Sequence, residues 1–414
     1  MCVWTEDTDA IRFGEKPLEI VYRNKIIDEY LRSNRRLGLA GIKGQGKTFL
    51  LKVKRKQYQG TNEETNDKND PVTPIICFPK DIMVDTLNSS VGTMNAGSKF
   101  IGIDASLHRE LESFNIWMQL WQISIAVCIV NSKEFKGFFP EKELKALNGV
   151  SKSLLKISNE SGRPSIIFQN LLRLKRKNFM LVIQDTFVWM QLLSKLNCAA
   201  YFFIDKVDQA FSEEITRIVQ SRKTIYSSRI SYWQYAQFSL AGAAYELFSN
   251  VNTHIKVFYT IRHEALVNCH FISLNTARNI EAYITELVYT RDDIYDMFFL
   301  YVANEDDKNL AIPMEKNSNP EKAFFGIDRI QHVYVANANE KIFSFLYRHS
   351  LRRPYDIMKI CHELYLKNPQ RLNAAIIRHT INDISNKVLE MYLSEMQPFT
   401  TLSTKNIKKT TRLY

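Results

Sequence analysis

At 414 residues the chain is too long for one average domain and suits two or three, although α/β folds can stretch a single domain. Hydrophobic residues make up 45% and charged residues 24%, which excludes global disorder and supplies a large core. Lys and Arg outnumber Asp and Glu by 55 to 44, a formal charge of +11; this is compatible with nucleic acid but decides little without a patch.

Residues 1–35 read as a lead-in, with a helix from Ile20 to Ser33 on the spacing of Ile26, Ile27, Tyr30 and Leu31. Arg36 to Ala40 reads as a short buried strand, and Phe49 to Val53 opens a helix. Between them Gly41, Ile42, Lys43, Gly44, Gln45, Gly46, Lys47 and Thr48 fit the phosphate-binding pattern G-x-x-x-x-G-K-[ST] at every fixed position. Three glycines let the backbone bend around a polyphosphate and turn its N–H groups inward, at a helix N-terminus whose dipole favours an anion. Lys47 would reach the outer phosphates, Thr48 would offer its hydroxyl to Mg²⁺, and Phe49 closes the run. The alternative is a glycine-rich turn that binds nothing.

Gln59 to Thr73 is polar and reads as a surface loop, and Pro74 to Pro79 as a second strand. A helical insertion of about 100–197 follows, with helices over Leu107–Val130, Pro164–Arg176 and Phe179–Leu196. Its stripe of Trp117, Leu120 and Trp121 reads as core. Three basic clusters, Lys52–Lys56, Arg173–Lys177 and Lys405–Lys409, read as solvated helix faces or tails rather than DNA contacts.

Cys198 to Asp205 is an apolar run ending in a carboxylate, the pattern by which a buried parallel strand delivers an acid to its C-terminal edge. Asp205 is the expected Mg²⁺-side carboxylate; the alternative is an N-cap for a helix from Asp208 to Gln220. A third strand, His254 to Arg262, places Thr260 and Arg262 two apart and so on one face. There Arg262 offers a multidentate donor to phosphate oxygens; the alternative is a surface pair with Glu264.

The last third reads as helical: Asn275–Val302, a polar loop over Asn304–Lys322, then Ala338–Ser350, Pro354–Lys367 and Pro369–Met396. The expected division is therefore lead-in 1–35, core 36–274, helical lid 275–399 and basic tail 400–414. Arg353 begins a lid helix and is either a phosphate contact or a capping, solvent-facing residue.

The six cysteines are scattered singly with no C-x-x-C, so a reducing cytoplasm is expected, with neither a zinc site nor a disulfide framework. The acidic start Met1–Asp7 lacks the features of a signal peptide, apolar runs are interrupted, and no membrane span is expected. There is no H-E-x-x-H and no G-x-S-x-G, and the eight histidines form no metal spacing.

The Gly41–Thr48 loop, the run Phe202-Phe203-Ile204-Asp205-Lys206-Val207-Asp208, the run Tyr259 to Ala265 and the run Tyr347 to Asp356 together resemble the AAA+/STAND branch of P-loop ATPases. KAP-type and origin-recognition-like members belong to that branch, and the nearest likeness is to bacterial STAND-like ATPases. The resemblance implies a three-layer α/β sandwich with a mainly parallel sheet, ATP and Mg²⁺ as ligands, and a helical lid. It also implies nucleotide-controlled assembly into a homo-oligomer or with an effector protein, often in prokaryotic defence. Many such ATPases carry Glu where Lys206 stands; protonated lysine cannot act as base, so Asp208 or another carboxylate is expected to stand in, or hydrolysis is slow. An ATP-dependent switch, a DNA-binding loader and a non-hydrolysing scaffold are the readings, in that order.

Overall fold

The computed structural model describes residues 20–64, 75–79, 84–86, 105–107, 109–157, 162–209, 226–267, 274–332, 335 and 338–396. The lead-in before residue 20, most of the polar loop expected from Gln59, the helix expected beyond Gln209 and the tail 400–414 lie outside the described residues. These divide into two compact units. One holds the described parts of Glu29–Ile42 and Lys47–Glu286; the other holds Lys43–Gly46 and the described parts of Met1–Asp28 and Leu287–Tyr414.

The first unit is an α/β sandwich around a six-stranded sheet. Its strands are Gly38–Gly41 (β1), Ile75–Phe78 (β2), Asp85–Thr86 (β3), Ala199–Asp205 (β4), Ile255–Arg262 (β5) and Ile284–Glu286 (β6). The order is β2-β4-β5-β1-β6 with β3 beside β4, and every described pairing is parallel. Both long strands are buried at every position, as strands covered on two faces must be, which is why they read as continuous apolar runs. Gly38 lies opposite Tyr259, and a Cβ there would come within 2.6 Å of the ring.

Helix α1 (Lys25–Arg32) starts later than the expected Ile20 because Asn24 caps it, its Oδ1 accepting from the Ile27 amide at 2.9 Å. Helix α2 (Lys47–Glu64) lies on the sheet, with Tyr58 edge-on to Tyr201 and stacked on Phe258. It continues to Glu64 where a loop was expected from Gln59, since extending a helix already nucleated costs little. The basic cluster on this helix is not a solvated face. Lys52, Lys54 and Arg55 are buried. Lys54 donates to the carbonyls of Tyr30, Ser33 and Arg36, and so caps the end of α1, while Arg55 donates to those of Phe78 and Pro79. Arg173 and Arg176 of the second cluster are exposed, as expected, and the third lies outside the described residues.

Helix α3 (Phe114–Asn131) packs against helices Pro164–Leu172, Thr186–Leu193 and Tyr226–Glu246. Trp121 stacks on Phe168 with centroids 4.0 Å apart and donates its indole N–H to the Ala236 carbonyl. This is the one described helix long and apolar enough to cross a membrane by length and composition, and 67% of it is buried inside the protein. The expected helix over Phe179–Leu196 is two, Arg176–Gln184 and Thr186–Leu193, broken at Asp185.

The expected helix Asn275–Val302 is a correction of larger consequence: it is helix Leu274–Glu281, strand β6 and helix Arg291–Asn304. Ile284 pairs with Gly38, while Thr290 and Asp293 form a capping box that starts the next helix. The first unit therefore ends at Glu286, beyond the boundary expected at residue 274.

In the second unit helices Arg291–Asn304, Pro320–Phe325, Ile342–Arg348, Pro354–Leu366 and Ala374–Met396 enclose a core of Phe298, Phe325, Phe343, Leu346, Ile360 and Ile381. The helix expected from Ala338 begins only at Ile342, because Asn339–Lys341 pairs with Arg329–Gln331 in an antiparallel ribbon. The expected loop Asn304–Lys322 holds the start of the helix Pro320–Phe325, capped by Asn319 and closed by Gly326 at φ 76°.

Candidate functional site

Parallel strands all deliver their C-terminal ends to one edge of a sheet. Here β1 ends at Gly41, β4 at Asp205 and β5 at Arg262, with β5 hydrogen-bonded between the other two. The pairing of Gly41 with Arg262 and of Ile204 with Tyr259 puts Gly41, where the glycine-rich run begins, with Asp205, Thr260 and Arg262 at that edge. Ligands of open α/β sheets collect at such edges.

The loop bends where its glycines allow. Gly44 and Gly46 take φ of 87° and 79°, left-handed values that L side chains resist. A Cβ on Gly44 would come within 2.9 Å of the Tyr355 Cβ, whereas one on Gly46 meets nothing within 4 Å. Lys47, the first residue of α2, turns its ammonium back into the loop and donates to the carbonyls of Gly41 at 2.7 Å and Ile42 at 3.0 Å. Burial of the ammonium is the main cause of a pKa lowered to about 8; Asp208 opposes it, Arg262 adds to it, and Asp205 and Glu264 oppose it. Thr48 and Phe49 follow in the first turn of α2, both half-buried.

Asp205 is 2% exposed. Its Oδ1 accepts from the Thr260 hydroxyl, and its Oδ2 is buried with no hydrogen-bond partner. Lys206, the next residue, has φ 57°. An L residue held there costs about 1–2 kcal/mol, so the turn leaving β4 is strained behind the carboxylate.

Arg262 is buried beside two acids. Its Nε and Nη2 donate to Glu264 at 3.3 and 3.4 Å, and its Nη1 lies 3.6 Å from Asp208 Oδ2. Its own amide donates to Gln237 of the helix Tyr226–Glu246 at 2.8 Å. The Arg262–Glu264 pair envisaged from sequence is therefore present, but with Arg262 buried and Glu264 half-buried rather than at the open surface. In formal charge, Lys47 and Arg262 face Asp205, Asp208 and Glu264, an excess of one negative charge. A polyphosphate alone meets little net attraction at such a cluster; a polyphosphate carrying a divalent cation meets more.

No family model matches the chain, and neither does any curated protein or solved structure.

Arg353 lies in the second unit and is not solvent-facing. It is 2% exposed, donates from Nε and Nη2 to Asp356 at 3.0 and 2.7 Å, and from Nη1 to the Lys43 carbonyl at 3.1 Å. Sequence reasoning passed over Gln237 and gave Glu264 no role beyond a surface pair. The helix Tyr226–Glu246 that carries Gln237 escaped notice because it is packed on several sides and shows no single apolar stripe. Among the described residues no group of three or more His, Cys, Asp or Glu gathers as a metal cluster.

Proposed function

We propose that the chain is a P-loop ATPase of the AAA+/STAND type, a molecular switch that binds ATP with Mg²⁺ and hydrolyses it, whether fast or slowly. One observation carries this reading: Gly41 and the inward Lys47 that bound the glycine-rich loop, the half-satisfied Asp205 and the Thr260–Arg262 pair share one edge of a parallel sheet. The orphaned Oδ2 of Asp205 fits a cation held by one carboxylate, the Thr48 hydroxyl and phosphate oxygens. When bound, Mg²⁺ supplies charge neutralisation to the phosphates. With a polyphosphate bound, Lys47 would exchange the carbonyls of Gly41 and Ile42 for phosphate oxygens, and Arg262 would donate to the outermost phosphate. In hydrolysis a water attacks the terminal phosphorus, the bond to the bridging oxygen breaks, and the water's proton passes to a carboxylate. Asp208 is the first choice for that base and Glu264 the second, since both flank Arg262 and Lys206 cannot act while protonated.

As a switch of this type the protein works in the cytoplasm, assembles with copies of itself or an effector protein as nucleotide state changes, and serves prokaryotic defence. It requires neither membrane nor nucleic acid. Burial of Lys52, Lys54 and Arg55 removes most of one of the three basic patches on which a DNA-binding reading would draw. The test uses purified protein and labelled ATP, with and without DNA. Lys47→Ala is expected to abolish binding or turnover; unchanged affinity and hydrolysis in that variant would sink the assignment.

A further inference from the structure

Three successive carbonyls of the glycine-rich loop are covered by donors from the same compact unit. Lys43 O accepts from Arg353 Nη1, Gly44 O from the Tyr355 amide and Gln45 O from the Tyr289 hydroxyl, each at 3.1 Å. Asp356 fixes the Arg353 guanidinium on its other edge, and the ring of Tyr392 lies against it at 5.2 Å. Gly44 and Tyr355 approach so closely that no side chain fits between them. A trans peptide is planar, with its C=O and N–H on opposite edges. Donors that hold these carbonyls on one side thereby aim the following N–H groups to the other.

We propose that Arg353 and Tyr289 are positioning residues of the phosphate loop: they pin its peptide planes in the anion-binding orientation and do not themselves contact phosphate. This rests on the ATP-binding reading above and departs from the sequence expectation that Arg353 touches the nucleotide. It has a distinctive consequence. Loop N–H groups serve phosphates that ADP and ATP share, so loosening the loop weakens both nucleotides by the same factor. Loss of a direct ligand to the terminal phosphate weakens ATP alone.

The experiment measures affinity for Mg²⁺·ADP and a non-hydrolysable Mg²⁺·ATP analogue, and amide hydrogen exchange of the unliganded loop, in wild type, Tyr289→Phe and Arg353→Lys. Tyr289→Phe removes one oxygen and keeps the ring, whereas Arg353→Ala would strand the buried Asp356 and endanger folding. The expected result for Tyr289→Phe is faster exchange across residues 43–48 at unchanged melting temperature. Both affinities are expected to fall together, roughly threefold to tenfold, the worth of one hydrogen bond. Arg353→Lys is expected to lower both further at a constant ratio. Selective loss of the ATP analogue in Arg353→Lys overturns the proposal in favour of direct phosphate contact, and unchanged exchange in both variants overturns the pinning itself. A folded wild type that binds neither nucleotide defeats the ATP-binding reading, while the exchange data still decide whether the carbonyls are pinned.

Discussion

Thr260 donates its hydroxyl to Oδ1 of Asp205 and leaves Oδ2, equally buried, without a partner. A buried acceptor left unsatisfied costs about 1–3 kcal/mol, a cost that the cation of the proposed site would relieve. Asp205→Asn keeps an acceptor for Thr260 and removes the buried charge. Its melting temperature without ligand is expected to stay close to that of wild type. Wild type should gain about 2.7 kcal/mol when Mg²⁺·ATP is present at one hundred times its dissociation constant, and the variant far less. Thermal melts with and without Mg²⁺ and ATP check this, and an equal ligand-induced shift in the variant refutes it.

In the proposed ATP-binding reading, the lowered pKa of Lys47 would make nucleotide binding depend on pH. Burial brings the ammonium from 10.5 to about 8 in the free protein, and a phosphate acceptor favours the charged form. Binding above pH 8 must therefore take up a proton, and affinity should fall by up to tenfold per pH unit there while staying flat below. Calorimetry at pH 8.5 in buffers of different ionisation enthalpy measures the uptake directly. For the unliganded protein the sign is opposite. The folded state holds fewer protons on this lysine than the unfolded chain between about pH 8 and 10.5, so Lys47's own contribution to stability rises through that window.

Gly44 and Gly46 should respond differently to alanine. Both pay for a left-handed φ, by about 1–2 kcal/mol, but only Gly44→Ala also forces a methyl against Tyr355. Gly44→Ala is expected to be the less stable protein. Gly46→Ala puts its methyl into open space where the phosphate would sit, so it should lose nucleotide affinity out of proportion to its stability. Denaturant titrations paired with binding curves separate the two, and equal stability loss for both would contradict the geometry.

Lys206 at φ 57° offers a substitution that stabilises. Lys206→Gly removes the Cβ responsible for the strain, and should raise stability by up to about 1 kcal/mol after the entropy of the glycine is counted. A lower denaturation midpoint in Lys206→Gly would mean that its side chain contributes more than its backbone costs.

The sheet strands were legible because parallel strands buried on both faces leave long apolar runs, as Ala199–Asp205 and Ile255–Arg262 do, and because the loop pattern between Gly41 and Thr48 is rigid in residue type. Strand β6 was not legible. Ile284 and Leu287 fall on helical spacing with Ile280, and only pairing with β1, which no local signal announces, makes Ile284–Glu286 extended. The buried lysine and arginine of α2 were misread for a related reason: a charge run looks solvated until the chain ends that need donors are known, here the carbonyls of Tyr30, Ser33, Phe78 and Pro79. At the site the residue types were readable, but the contacts of Arg262 with Asp208 and Gln237, and of Arg353 with the Lys43 carbonyl, join residues far apart in the chain.

Among the described residues strand β1 has both its neighbours far downstream, β5 from Ile255 and β6 from Ile284. During synthesis the loop's own strand must wait, unpaired, while roughly two hundred further residues leave the ribosome. At about 5–20 residues per second that is on the order of ten to fifty seconds. A nascent chain released before Ile255 would carry the complete glycine-rich loop and still lack both neighbours of the strand that leads into it, which would be a target for chaperones throughout the interval.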